Sequence, residues 1–141
     1  MLKQEAYRRG RHCVFGLHIH LVFVLKYRRK AMTPRVLQSL RGSFSKICSD
    51  FEATLKECDG ENDHVHLLIE YPPKVAVSSL VNSLKGASSR IIRKKRFPEI
   101  RKSLYGRHFW SPSYFAASCG GAPLNVLKSY IRGQQVKPGR G

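Results

Sequence analysis

The chain has 141 residues, 42% of them hydrophobic, which suits one domain with one hydrophobic core and excludes global disorder. Its 26 Lys and Arg residues outweigh 9 Asp and Glu residues, and the net charge of +17 predicts a polyanionic partner, most often nucleic acid and less often an anionic membrane surface. No stretch approaches the roughly 20 apolar residues that a membrane span requires. No signal-peptide pattern is present, so we expect a cytoplasmic protein whose four cysteines are free thiols.

The N-terminal part predicts a basic arm followed by the first strand. Residues 1–12 are polar and basic, as in an arm that contacts phosphates or in a merely solvated terminus. Residues 13–26 predict a strand with two different faces. One face carries His18, His20, Val22 and Val24, and the other carries Leu17, Ile19, Leu21, Phe23 and Leu25. A basic turn follows at 27–30.

The next elements are a helix and two strands. Thr33 as N-cap and Pro34 at the first helical position predict a helix start, and apolar residues then recur at helical spacing as far as Phe51. Residues 53–58 predict a second strand. A turn over 60–63 is expected to join it, as an antiparallel pair, to the strand that follows.

The strand that ends at Glu70 carries His64 and His66 with one residue between them, so both side chains point to the same face. Their Cβ atoms are roughly 6–7 Å apart at about 3.3 Å rise per residue, and two imidazoles at that spacing can converge on one metal ion. The alternative is two histidines that happen to share a half-exposed face. His18 and His20 have the same spacing, and spacing alone does not decide between the two pairs.

A second amphipathic helix and an edge strand follow. Apolar residues from Val77 to Ile91 recur at helical spacing, and the basic run at the end of this helix favours contact with a DNA or RNA backbone over a solvated face. Residues 107–118 predict an edge strand because Pro112 interrupts them, and their aromatic residues either pack in the core or stack on bases. The candidate nucleic-acid contacts are Arg8, Arg9, Arg28, Arg29, Lys85, Arg90, Arg93 and Lys94.

The C-terminal part predicts a last helix over 123–135 and a flexible tail over 136–141. Tyr130 and Gln134 are four residues apart and therefore lie on one face of that helix. The order strand, helix, strand, strand, helix, strand predicts an α+β fold on the ferredoxin-like, or split βαβ, plan. We expect a single domain over 1–141, with an antiparallel sheet, helices on one face, and the tyrosine helix appended.

These residues suit phosphodiester chemistry. Two strand histidines and the side-chain oxygen of Gln134 suit a divalent ion such as Mg²⁺ or Mn²⁺, with positions left for phosphate oxygens and water. Such an ion acts as a Lewis acid on a phosphodiester. A tyrosine beside it can attack phosphorus and leave a covalent phosphotyrosine, which a 3′-hydroxyl can reverse. This is the chemistry of DNA strand nicking and rejoining.

Five segments, in this order, resemble the single-tyrosine HUH transposases of small bacterial insertion sequences, which move a single DNA strand. The segments are HLVFVLKYRRK (20–30), DHVHLLIEYPP (63–73), SLKGASSRI (83–91), FWSPSYFAASCGGAPLNVL (109–127) and KSYIRGQ (128–134). The resemblance implies that His64 and His66 form the HUH motif, that Tyr130 is the nucleophile and that Gln134 is the third metal ligand. His18 and His20 lie outside that motif and are interpreted as structural.

The resemblance also implies partners. It implies a homodimer in which the sheets of the two subunits join and the tyrosine helix of one subunit completes the site of the other. It also implies recognition of imperfect hairpins near the ends of the insertion sequence, and a nucleoid-associated protein of bacteria or archaea. One alternative is a domesticated relative that acts on genomic repeat hairpins. Others are a replication initiator or relaxase, and a non-enzymatic RNA- or DNA-binding domain with the same strand order.

Overall fold

The structure is a computed structural model that describes residues 8–10, 13–26, 30–103 and 109–119. In chain order the elements of this part are β1 (Arg8–Arg9), β2 (Val14–Phe15), β3 (His18–Leu25), α1 (Pro34–Asp50), β4 (Thr54–Glu61), β5 (His64–Glu70), α2 (Val77–Lys95), α3 (Pro98–Ser103) and β6 (Trp110–Ser118).

Four of the strands form one antiparallel sheet in the spatial order β4-β5-β3-β6, while β1 and β2 pair separately. The strands β3 and β5 are therefore central, and β6 lies at an edge. This arrangement confirms the predicted ferredoxin-like α+β fold class and the predicted edge strand. The helix predicted over 123–135, with Tyr130, and the tail predicted over 136–141 lie outside the described residues.

The hydrophobic core lies between the sheet and the helices α1 and α2. Alternate residues of the central strands, among them Leu21, Phe23 and Leu67, are fully buried and join one cluster with apolar residues of both helices. Successive side chains of a strand point to opposite faces, so His20 and His66 lie on the other face of the sheet. We call this second face, which carries His18, His20, His64 and His66, the histidine face.

Helix α1 begins where the sequence predicts it. The Thr33 hydroxyl accepts a hydrogen bond from the Val36 backbone N–H at 3.4 Å. Pro34 occupies the first turn, where a backbone N–H would have no partner within the helix, so proline costs no hydrogen bond there. Pro98 begins the short helix α3, because proline suits the first turn of a helix. None of the described helices is long and apolar enough to cross a membrane.

The turn between β4 and β5 is shorter than the sequence predicts. Strand β4 extends into the predicted turn over 60–63 and leaves only Asn62 and Asp63 to connect the two strands. Asn62 has a φ of 56°, a left-handed conformation that Asn tolerates better than most residues. Gly60 is a paired strand residue, and a Cβ at this position would lie 2.6 Å from the backbone carbonyl oxygen of His64. The glycine therefore allows β4 to approach β5 closely where the histidines begin.

The N-terminal residues also differ from the prediction. The sequence predicts one strand over 13–26, but Val14–Phe15 pairs with Arg8–Arg9 in a small separate sheet, and β3 begins only at His18. Alternating polarity cannot reveal this interruption, because it depends on pairing with a second segment. Two residues that the sequence assigns to a basic arm thus lie in a strand.

The buried face of α2 is rotated slightly from the predicted one. Apolar spacing predicts Ile91 in the core and Ser88 on the polar surface, whereas the structure fully buries Ser88 and Ile92. Burial of this hydroxyl is tolerated because it accepts a hydrogen bond from Nε1–H of Trp110 at 3.0 Å and donates one to the Lys85 carbonyl at 3.2 Å. The hydrogen bond between Ser88 and Trp110 thus links α2 to β6.

Candidate active site

The two histidines of β5 lie side by side near the turn between β4 and β5. His64 is opposite Val24, and His66 is opposite Val22, in the register between β5 and β3. The centroids of the two imidazole rings are 4.9 Å apart, and the ring planes are nearly perpendicular. The rings share one face, as the alternation of the strand predicts, at a separation compatible with binding one ion.

His66 is almost fully buried and contacts a histidine of the neighbouring strand. Its Nδ1 lies 3.1 Å from Nε2 of His20, and the two rings stack with centroids 5.4 Å apart. Burial, with smaller contributions from His64 and His20, lowers the pKa of His66 to about 4. His66 is therefore neutral at pH 7, the form in which a ring nitrogen has a lone pair for a metal ion.

His64 is closer to solvent and is held by the residue before it. Its side chain is 13% exposed, and its Nδ1 lies 3.1 Å from Oδ1 of Asp63. A carboxylate that accepts the Nδ1–H of a histidine leaves Nε2 as the nitrogen with the lone pair. Asp63 thus orients His64, a histidine of the predicted HUH motif.

The donor set of these two histidines fits a divalent metal ion. In both rings Nδ1 is engaged by a partner, so Nε2 is the nitrogen left for an ion, as is usual in metal-binding histidines. The described ranges contain no group of three or more His, Cys, Asp and Glu side chains that could hold a metal ion. The predicted third ligand, Gln134, and the predicted nucleophile, Tyr130, lie outside these ranges.

The two histidines of the other pair, His18 and His20, contact different residues. His20 contacts His66, whereas Nε2 of His18 lies 3.8 Å from Oε2 of Glu70. Glu70 is buried, and its Oε1 lies 3.5 Å from Nε of Arg8. His18 therefore belongs to a cluster with Glu70 and Arg8 at the far end of β5, and His20 belongs with His64 and His66.

The structure describes six of the eight candidate nucleic-acid contacts, while Arg28 and Arg29 lie outside the described ranges. Arg8 is held within the fold, since its guanidinium donates to the Glu52 carbonyl oxygen at 2.8 Å and also approaches Glu70. The exposed candidates are Arg9 on β1 and Arg90, Arg93 and Lys94 on α2. Because α2 contributes to the core cluster, its basic residues lie on the helix side of the sheet and not on the histidine face.

Lys85 differs from these exposed residues because its ammonium group faces β6. Nζ donates to the carbonyl oxygens of Ser111 at 2.6 Å and Pro112 at 3.2 Å, and it lies 5.8 and 5.6 Å from the ring centroids of Phe23 and Tyr114. Burial lowers the pKa of Lys85. These contacts hold the start of the edge strand against α2, and a phosphate would compete with them for the same donors.

Sequence reasoning missed two residues of this site, Asp63 and His20. The sequence predicts Asp63 only as part of a turn, although its position directly before His64 is a signal that identifies a partner for this histidine. The resemblance leads us to interpret His20 as structural. Its place on the same face as His66 could have been anticipated from the central pairing of the first and third strands in the ferredoxin-like plan.

Comparison with known proteins places the chain in a family. The model of a family described as Transposase IS200 like matches residues 13–134. The chain is 29% identical over 130 residues to the ISDra2 transposase TnpA of Deinococcus radiodurans, an alignment that covers 92% of each protein.

Solved structures agree with this match. A crystal structure described as that of a transposase from Deinococcus radiodurans aligns with a TM-score of 0.71 and 28% identity, over 91% of this chain and 98% of that chain. A REP-associated tyrosine transposase bound to a REP hairpin aligns with a TM-score of 0.63, over 94% of this chain and 74% of that chain; at 17% identity, the likeness shows the fold alone. The family match spans the described four-stranded sheet, His64, His66, Tyr130 and Gln134, and this chain therefore belongs to the IS200-like transposase family.

Proposed function

We propose that this transposase nicks and rejoins single-stranded DNA through a covalent bond between Tyr130 and a 5′-phosphate, with a divalent metal ion held by His64, His66 and Gln134. The observation that carries the proposal is the pair of histidines on the histidine face, each with Nδ1 at 3.1 Å from a partner atom, so that Nε2 is the nitrogen that would bind the ion. Membership of the family supports the roles of Tyr130 and Gln134, which both lie within the matched residues 13–134.

The metal-binding residues would act before any bond changes. His64 and His66, with the amide oxygen of Gln134, would hold Mg²⁺ or Mn²⁺, and they fill only part of its coordination sphere. When bound, the ion supplies Lewis-acid polarisation of the scissile phosphodiester. Burial keeps the His66 ring neutral, and the contacts at Nδ1 keep both rings in one orientation, so no reorganisation of these side chains is needed when DNA arrives.

Tyr130 would act as the nucleophile. Its phenol oxygen attacks phosphorus and loses its proton, the bond from phosphorus to the 3′-oxygen breaks, and that oxygen gains a proton to become a 3′-hydroxyl. The products are a phosphotyrosine linked to the 5′ side of the DNA and a strand with a free 3′-hydroxyl. Attack of a 3′-hydroxyl on the phosphotyrosine reverses these bond changes and rejoins the strands without external energy.

The substrate we propose is single-stranded DNA with imperfect hairpins, bound by a homodimer with shared active sites. The net charge of +17 supports a nucleic-acid partner, and a protein with the same fold, the REP-associated tyrosine transposase, is bound to a REP hairpin. The exposed basic residues of α2 supply candidate phosphate contacts. In the dimer, the tyrosine helix of one subunit would complete the histidine site of the other.

A test for a covalent adduct decides the proposal. The purified protein is incubated with Mg²⁺ or Mn²⁺ and single-stranded DNA from the flanks of its own gene, and adducts are separated under denaturing conditions. Wild-type protein should form an adduct. Tyr130→Phe, which deletes only a hydroxyl, should form none, whereas Tyr114→Phe on β6 should behave like wild type.

Metal dependence is tested in the same assay. His66→Ala should abolish the adduct while hairpin binding remains, because the metal ion serves the chemistry and not the binding.

Adducts that persist in Tyr130→Phe would overturn the assignment of the nucleophile. Hairpin binding without any adduct from wild-type protein would instead favour a non-enzymatic nucleic-acid-binding domain.

A further inference from the structure

His20 is the residue of β3 that contacts the predicted metal site. Its Nε2 lies 3.1 Å from Nδ1 of His66, the residue is 2% exposed, and the two ring planes are 19° apart. In the proposed function His66 is a metal ligand, and His20 has no part. The contact nevertheless makes the state of His66 depend on which nitrogen of His20 carries a proton.

A hydrogen bond between two neutral imidazoles contains one proton, so one ring donates and the other accepts. If His66 binds a metal ion through Nε2, that nitrogen carries the lone pair and Nδ1 carries the proton. His66 is then the donor, and Nε2 of His20 is the acceptor. The reverse arrangement, with His20 as the donor, would put the proton of His66 on Nε2 and block binding of the ion.

The fold confines His20 in the position that this hydrogen bond requires. His20 pairs with Leu68, and Val22 pairs with His66, so the two histidines are diagonal neighbours on adjacent strands. On the other side of β3, the ring of Phe115 meets the His20 ring edge-on with centroids 5.6 Å apart. The imidazole therefore lies between contacts from both neighbouring strands.

We propose that His20 is a positioning residue that accepts a hydrogen bond from His66 and holds it in the Nδ1–H tautomer, with Nε2 available to a divalent metal ion. This role rests on the proposed function and adds to the metal site a residue outside the HUH motif. His64 has a separate support in the carboxylate of Asp63, so loss of His20 affects one of the two histidine ligands.

Two substitutions separate the hydrogen bond from packing. His20→Leu removes the acceptor and keeps a buried side chain of similar size, whereas His20→Gln keeps an amide oxygen that can accept from Nδ1–H of His66. His18→Leu is the matched control, because His18 is a buried histidine on the same face of β3 whose partner is Glu70. Thermal unfolding of each variant establishes that it is folded.

The first measurement is the affinity of the metal-free protein for Mn²⁺ alone, without DNA, from the electron paramagnetic resonance signal of free Mn²⁺. Loss of the hydrogen-bond partner of a metal-binding histidine typically weakens metal binding about 10- to 100-fold, and we expect a loss of that size in His20→Leu. His20→Gln and His18→Leu should remain close to wild type. Equal affinities of wild type and His20→Leu, or equal losses in both His20 variants, would overturn the role.

The second measurement is the tautomer of His66 in the metal-free protein, read by NMR from its imidazole nitrogen shifts. Wild type should show the Nδ1–H tautomer, and His20→Leu should show a mixture. A wild-type His66 with its proton on Nε2 overturns the role even if His20→Leu does not fold. If wild type shows the Nδ1–H tautomer but binds no Mn²⁺, the metal site of the proposed function is overturned, and the positioning role of His20 with it. This outcome differs from a failure of His20 alone, in which wild type binds Mn²⁺.

Discussion

Replacement of Lys85 with Met tests whether its ammonium group stabilises the fold. Met retains much of the aliphatic side chain and its contact with aromatic rings. It removes the donors to the carbonyl oxygens of Ser111 and Pro112, which lie 2.6 and 3.2 Å from Nζ. The change therefore isolates the polar contribution of one residue to the contact between α2 and the edge strand β6.

The magnitude follows from these contacts. A hydrogen bond from a charged donor contributes about 1.5–3 kcal/mol net, and a cation over an aromatic ring adds about 0.5–1 kcal/mol at a partly exposed site. The lowered pKa of Lys85 shows that its charged form loses hydration in the fold, which offsets part of this gain. We expect Lys85→Met to lose about 2 kcal/mol of unfolding free energy, which corresponds to roughly 8 °C in Tm for a chain of this length.

Urea denaturation of the protein without DNA measures this loss. The single tryptophan, Trp110, is buried at the start of β6 and reports unfolding of that region by fluorescence. Lys94→Met is the matched control, because Lys94 is exposed on the same helix, and it should stay within about 0.5 kcal/mol of wild type. A Lys85→Met protein equally close to wild type would refute a stabilising role. The salt dependence of DNA binding by the two variants separately tests the predicted phosphate contacts.

Hairpin DNA binding, followed by fluorescence anisotropy, should weaken by orders of magnitude between about 50 and 200 mM salt, and a flat response would contradict phosphate contacts. Mixing Tyr130→Phe with His64→Ala protein should restore adduct formation, since one mixed dimer contains one intact composite site; no recovery despite demonstrated subunit exchange would count against shared sites. Hydrogen bonds from Arg35 and Thr33 lower the pKa of Glu99 to about 2 from 4.5. Glu99→Gln should therefore lower Tm at pH 7 by an amount that shrinks as pH falls from 4.5 towards 2, and a pH-independent difference would refute this.

The candidate site divides into parts that local spacing predicts and parts that it does not. His64 and His66 share a face because strand geometry makes residues two apart do so, whatever surrounds them. The contacts at their Nδ1 atoms were not predicted. Asp63 contacts His64 from the last position of the turn before β5, and His20 reaches His66 because β3 lies beside β5 in one particular register.

The sequence by itself determined the order of the six elements that make up the ferredoxin-like plan and the start of α1 at Thr33, because these depend on periodicity and capping within short segments. Tertiary structure decided what depends on contact between distant segments. It paired β2 with β1, made Gly60 a strand residue opposite β5, and buried Ser88 against Trp110. It also turned Lys85 towards β6 and His20 towards His66, because a side chain's partner is set by the register and packing of separate elements, which no local pattern encodes.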